Sequence, residues 1–136
     1  MLIEVKDNYF INTKNISFIK FEENNNLEFT YLGSSYLEEV EISDKVKERL
    51  YDFFEHDESF IEIPNNQDIK QYINVITITK ILIKEEEDDC VNLEIYFVND
   101  DSTLNKIMQE KAGAVKIINE IKEKIIKSKS EYVDHF

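Results

Sequence analysis

The sequence predicts an α+β fold, a single compact domain of antiparallel sheet packed against a long C-terminal helix. Three observations predict it. At 136 residues the chain has the length of one domain, which buries roughly two-thirds of the surface its unfolded form exposes. A hydrophobic content of 42%, with nine Phe and seven Tyr, supplies a core and argues against a disordered chain. Short runs of β-branched and aromatic residues with period two fill most of both halves, and helical periodicity appears only twice.

Taken in order, Ile16, Ser17, Phe18, Ile19, Lys20 and Phe21 form one strand and Leu27, Glu28, Phe29, Thr30 and Tyr31 the next. They flank residues 22–26, whose three consecutive Asn suit a hairpin loop. The switch of apolar phase between Phe18 and Ile19 predicts a bulge or a strand buried on both faces. A third strand spans 37–42. Ser43 then supplies a helix cap and Asp44 a charge suited to the helix N-terminus. Val46, Leu50, Phe53 and Phe54 share one face of that helix, which ends near His56. Pro64, Asn65 and Asn66 mark the clearest internal boundary.

The second half repeats the plan. Ile73, Asn74, Ile78, Thr79, Ile81, Ile83 and Glu85 align with Ile11, Asn12, Ile16, Ser17, Ile19, Phe21 and Glu23 at a constant offset of 62 residues. Leu93, Glu94 and Ile95 answer Leu27, Glu28 and Phe29. Val91, Leu93, Ile95 and Phe97 alternate with Asn92, Glu94, Tyr96 and Val98 as a strand buried on one face. The last helix is expected over 103–127, capped by Asp101 or Ser102. Its stripe is Leu104, Ile107, Ala114, Ile118, Ile121 and Ile125, with Lys111 breaking the heptad. The expected product is two similar β-hairpin-plus-helix units, at about 1–58 and 70–127, with a tail over 128–136. Convergence of amphipathic patterns is the alternative to duplication. Ile16, Phe29, Phe53, Ile78, Ile95 and Ile118 are the expected core.

Charge narrows the function. Sixteen Lys and Arg stand against 29 Asp and Glu, a formal net charge of −13, a poor starting point for neutralising phosphates, so no direct contact with nucleic acid is expected. The apolar stretch 75–83 is far short of a membrane span, which needs roughly 20 residues, and no signal peptide is visible, so a cytoplasmic protein without membrane contact is expected. One cysteine, Cys90, excludes an internal disulfide. It follows a run of acids, which raises a thiol's pKa rather than activating it. Gly33 and Gly113 sit in no phosphate-loop pattern and there is no Gly-x-Ser-x-Gly elbow. His56 and His135 lack partners at zinc-ligand spacing. The 85–89 run lacks the central Gly of an EF-hand loop. Glu4, Val5 and Lys6 have the Glu-x-Lys form of a nuclease strand but no upstream acid. The expectation is a protein without enzymatic activity, metal or cofactor.

What remains is the distribution of charge. Residues 22–62 hold thirteen acids and three bases, residues 85–101 eight acids and no base, and residues 103–129 seven Lys against three acids. Carboxylates on a rigid scaffold can engage Arg forks as phosphates do, and a negative face steers a basic partner. The leading expectation is an inhibitor that docks on the basic nucleic-acid-binding surface of a nuclease or defence complex, in a bacterial or phage-infected cell. Small size, acidity and the lack of catalytic motifs resemble, in type and composition, phage anti-CRISPR and anti-restriction proteins and the immunity proteins of nuclease toxins. The expected contact residues are Glu85, Glu86, Glu87, Asp88 and Asp89, the helix acids Glu48, Asp52, Glu55, Asp57 and Glu58, and Glu94 with Tyr96 on the sheet face opposite the core. The alternative is a self-assembling structural or adaptor module. It would dimerise through the long helix, whose flanks carry Met108, Val115, Ile117 and Ile126, or through its lysines against a second copy's acidic half.

Overall fold

A computed structural model describes residues 1–34, 36–63, 69–97 and 105–134, the side chains of 105–110 and 128–134 excepted. Strand β1 (Leu2–Lys6) pairs antiparallel with β2 (Tyr9–Asn12). A 3-10 turn over Thr13–Asn15 leads into β3 (Ile16–Phe21), then β4 (Asn26–Tyr31), β5 (Glu38–Glu41) and helix α1 (Asp44–His56). The second half runs β6 (Phe60–Glu62), β7 (Gln71–Asn74), a 3-10 turn over Val75–Thr77, β8 (Ile78–Glu85), β9 (Cys90–Phe97), β10 (Asn105–Glu110) and α2 (Lys111–Asp134).

Local chemistry accounts for the joints. Ser43 Oγ accepts from Val46 N at 3.2 Å and Asp44 occupies the first turn of α1, the N-terminal signature read from the sequence. At the tip between β3 and β4, Asn24 and Asn25 take φ of 61° and 59°, a left-handed conformation that Asn tolerates better than most residues. Asp88 and Asp89 do the same between β8 and β9, at 60° and 56°. Asn12 and Asn74 each accept a backbone N–H two residues on, from Lys14 and Ile76, and so fix the two 3-10 turns.

The strands form three sheets: β1-β2, β10-β9-β8, and a central five-stranded sheet ordered β5-β4-β3-β7-β6. In the central sheet a strand of the first half, β3, lies between its hairpin partner β4 and a strand of the second half, β7. This explains the mixed apolar phase of β3. Its ladder with β4 carries an irregularity between Ile16 and Phe18, and both of its faces are buried. Ile16, Ile19 and Phe21 enter a core with Leu27, Phe29, Leu50 and Phe54, whereas Phe18 enters a second core with Leu93, Ile95, Ile117 and Ile121. The β6-β7 hairpin serves both cores. Phe60 and Tyr72 face the first, Ile61, Ile63 and Ile73 the second.

Each half therefore follows the order β-β-turn-β-β-β-α. Corresponding details fall at like places: ladder irregularities at Ile16/Phe18 and Ile78/Lys80, and backbone bonds from Ile42 N to Asn25 O and from Lys111 N to Asp89 O. The long helix is where the sequence reading needs correction. Residues 105–110 are strand β10, with Ile107 opposite Leu93, and α2 begins only at Lys111, the residue that broke the heptad. Pairing with β9 decides the outcome, since a short apolar run fits either period until a partner strand is known. The proposed caps Asp101 and Ser102, with Thr103 and Leu104, lie outside the described residues. The helix also continues past Lys127 into the stretch read as a tail. Of the expected core, Ile16, Phe29 and Ile95 are fully buried, while Phe53, Ile78 and Ile118 are only half-buried because they sit on the margins of their cores.

Two substitutions test this packing. Ile73→Ala, at a fully buried position on the strand that joins the halves, is expected to cost about 2–5 kcal/mol, read from urea unfolding. Tyr72→Phe removes a buried hydroxyl that has no hydrogen-bond partner among the described residues. Its stability is expected to stay within about 1 kcal/mol of the parent or rise, because only desolvation of the hydroxyl is relieved.

Candidate acidic interaction surface

The β8-β9 hairpin projects the 85–89 run into solvent, all five carboxylates exposed. Asp88 and Asp89, both in the left-handed region, turn the chain at the tip. Glu86 N donates to Cys90 O at 2.9 Å and Asn92 Nδ2 to Glu86 Oε1 at 2.9 Å, which pins the base of the tip. Among the described side chains, Lys111 is the one cation within ion-pair range, 3.6 Å from Glu85.

The acids read as belonging to α1 are less available, and two of them, Asp57 and Glu58, lie beyond its end at His56. Glu48 and Asp52 are exposed, and Asp52 lies 3.5 Å from His56. Glu55 meets Lys70 at 2.6 Å, and that hydrogen bond, ahead of the simple charge attraction, holds the Glu55 carboxyl below its ordinary range and lifts Lys70. Asp57 caps the end of α1 and accepts from both Ser59 N and Ser59 Oγ. Glu58 faces Lys124 at 3.7 Å and Lys127 at 3.8 Å. The Lys-rich helix thus meets part of the acidic block within the same chain.

Two further expectations need correction. Glu94 is not a surface acid: it is 4% exposed, ion-paired with Lys84 at 3.0 Å and accepting from Tyr96 Oη at 3.1 Å. With both faces of β9 covered along its middle, alternation no longer separates inside from outside. Tyr96 is half-buried beneath Lys80, whose ammonium lies 4.3 Å from the ring centroid. The proposed dimer flank of α2 loses two of its four members, because Met108 belongs to β10 and Ile117 is buried in the second core.

A feature the sequence did not disclose is a cleft of about 530 Å³ where α1, β6, β7 and α2 meet. Glu55, Glu62, Glu120 and Lys124 line it with Tyr72. Burial, then the charges of Glu62 and Glu55, raises the Tyr72 phenol so that it stays neutral. No short motif could have signalled this, since the lining residues come from four separate elements. Among the described residues no group of three or more His, Cys, Asp or Glu has the arrangement of a metal site, and no helix is long and apolar enough to cross a membrane. No known protein family, curated protein or solved structure matches the chain.

Like charges also meet across strands. Glu28 on β4 stands opposite both Lys20 of β3 and Glu39 of β5. Burial first, then Glu22 and Glu39, raises the Glu28 carboxyl above its ordinary range in spite of Lys20. The folded state therefore keeps this proton to higher pH than the unfolded chain, so ionised Glu28 costs stability at neutral pH and the cost vanishes as pH falls below the ordinary carboxylate range. Glu28→Gln is expected to raise Tm at neutral pH, with the difference closing in acid. A difference that persists unchanged in acid would contradict this origin.

Proposed function

We propose that the chain is a small, non-enzymatic, acidic binding protein of the cytoplasm of a bacterial or phage-infected cell. Its role is to dock on the basic, nucleic-acid-binding surface of another protein, such as a nuclease or defence complex, and occupy it in place of nucleic acid. The observation that carries this reading is the 85–89 tip: five consecutive exposed carboxylates on a hairpin whose base is pinned by hydrogen bonds. Such a tip can meet several guanidinium groups with little rearrangement of its backbone. The acids on and just after α1 contribute less, because Glu55, Asp57 and Glu58 already have partners inside the chain. Glu48 and Asp52 remain as a secondary contact, and the buried Glu94 drops out.

The test is association with an immobilised poly-arginine peptide at low and high salt. Changing Glu86, Glu87, Asp88 and Asp89 together to Ser is expected to slow association several-fold at low salt. The difference should shrink at high salt, where charges beyond a few Å are screened. Changing Glu23, Glu38, Glu39 and Glu41 together to Gln removes the same charge elsewhere and is expected to have a much smaller effect. Equal slowing by both variants would mean that net charge alone acts, and would overturn the tip as the docking surface.

A further inference from the structure

The two halves share one order of elements, but among the described residues only β3 of the first half, and not β8 of the second, has a strand on both edges. There β7 covers β3, with Phe18 opposite Ile73, Ile19 opposite Tyr72 and Lys20 opposite Gln71. Tyr72 stacks on Phe54 at 5.3 Å and meets Phe21 edge-on at 6.2 Å. Asn74 Nδ2 donates to Ile16 O at 3.1 Å, both buried.

The second half presents the same receptor without an occupant. Strand β8, 62 residues after β3, pairs among the described residues with β9 alone. Beside it a groove of about 350 Å³ runs between β8 and α2, lined by Ile78, Ile81, Ile83, Ile118, Ile121 and Ile125. Ile83, at the place of Phe21, is 54% exposed. The first half presents the occupant without a receptor. Hairpin β1-β2 buries Ile3, Val5 and Ile11 on one face, yet its other face exposes Leu2 at 66% and Phe10 at 51%. In the second half Phe60 and Tyr72 hold those places at 3% and 1%. Leu2 opposite Asn12 and Phe60 opposite Asn74 are the same register.

An unpaired strand edge flanked by apolar side chains is a template for strand addition. Here the fold joins the same two surfaces once already, within one chain. We propose that copies of this chain associate head to tail, the β2 edge of one copy adding antiparallel to the β8 edge of the next. The internal joint dictates the register: Lys80 opposite Ile11, Ile81 opposite Phe10, and Leu82 opposite Tyr9. Phe10 enters the isoleucine groove as Tyr72 enters the first core, and Asn12 donates to Ile78 O as Asn74 does to Ile16 O. Charge agrees, since Lys122 lines the groove and Glu4 stands opposite Phe10 on the same face of the incoming hairpin. The contact is heterologous, so the growing assembly always keeps one free edge of each kind, and it proceeds to a closed ring or an open filament.

The contact makes a test by complementation available. Phe10→Asp damages only the hairpin and Ile83→Asp only the groove; both positions are exposed, so circular dichroism and Tm should match the parent. Phe10→Ser and Ile83→Ser carry the same test if Asp disturbs folding. By light scattering across a concentration series, the parent is expected to exceed the mass of one chain, and each variant alone to stay at it. An equimolar mixture should form pairs, because Phe10→Asp keeps an intact groove and Ile83→Asp an intact hairpin. A parent that stays at the mass of one chain at every concentration, a mixture that does not pair, or a variant that associates like the parent would each overturn the proposal.

Discussion

The pairing of β3 with β7 is the contact on which the remaining structure depends. Three opposed residue pairs convert two half-sized layers into one domain, and they do so by placing alternate side chains of the same strands into different cores. Phe18 and Ile73 point one way, Ile19 and Tyr72 the other. Each half alone would leave one of these faces in water, and a unit of some sixty residues has little stability to spare for that. The strand thus has no solvent side, which is why it reads as a nearly continuous apolar run instead of an alternating one.

The same constraint shapes the charge distribution. With so much apolar surface committed to the interior, the acids gather on the exposed side of α1, on the edge strand β5 and at the hairpin tips. Part of that charge is balanced locally, by Lys70 at Glu55 and by Lys124 and Lys127 at Glu58. Exposed pairs of this kind contribute little stability. Their larger effect is to leave the 85–89 tip as the most concentrated negative feature whose partners are few, and so to focus a negative field on one projecting element.

Local chemistry was legible in the sequence wherever a single element decides it. The cap at Ser43, the end of α1 at His56, the Asn-rich tip at 22–26 and the double-sided burial of β3 all follow from neighbours within a few residues. The 62-residue offset was also visible, and the two 3-10 turns with their Asn12 and Asn74 side chains fall on it. What could not be read was pairing between distant segments. Residues 105–110 carry an apolar spacing that fits a helix, and only β9 beside them makes them a strand. Glu94 looked solvated because alternation assumes one wet face. Phe10 and Ile83, ordinary hydrophobics in sequence, become conspicuous only when their counterparts Tyr72 and Phe21 are seen to be buried.

Native-state hydrogen exchange, followed amide by amide by NMR, tests most directly the claim that one strand pair unites both cores. The amides of Ile19 and Ile73, with those of Phe29 in the first core and Leu93 in the second, are expected to exchange through a single opening reaction with a common free energy and denaturant dependence. That follows if neither core survives without the β3-β7 joint. Exchange at Leu93 through a separate, less costly opening, while Phe29 stays protected, would show two independently stable units and contradict the account.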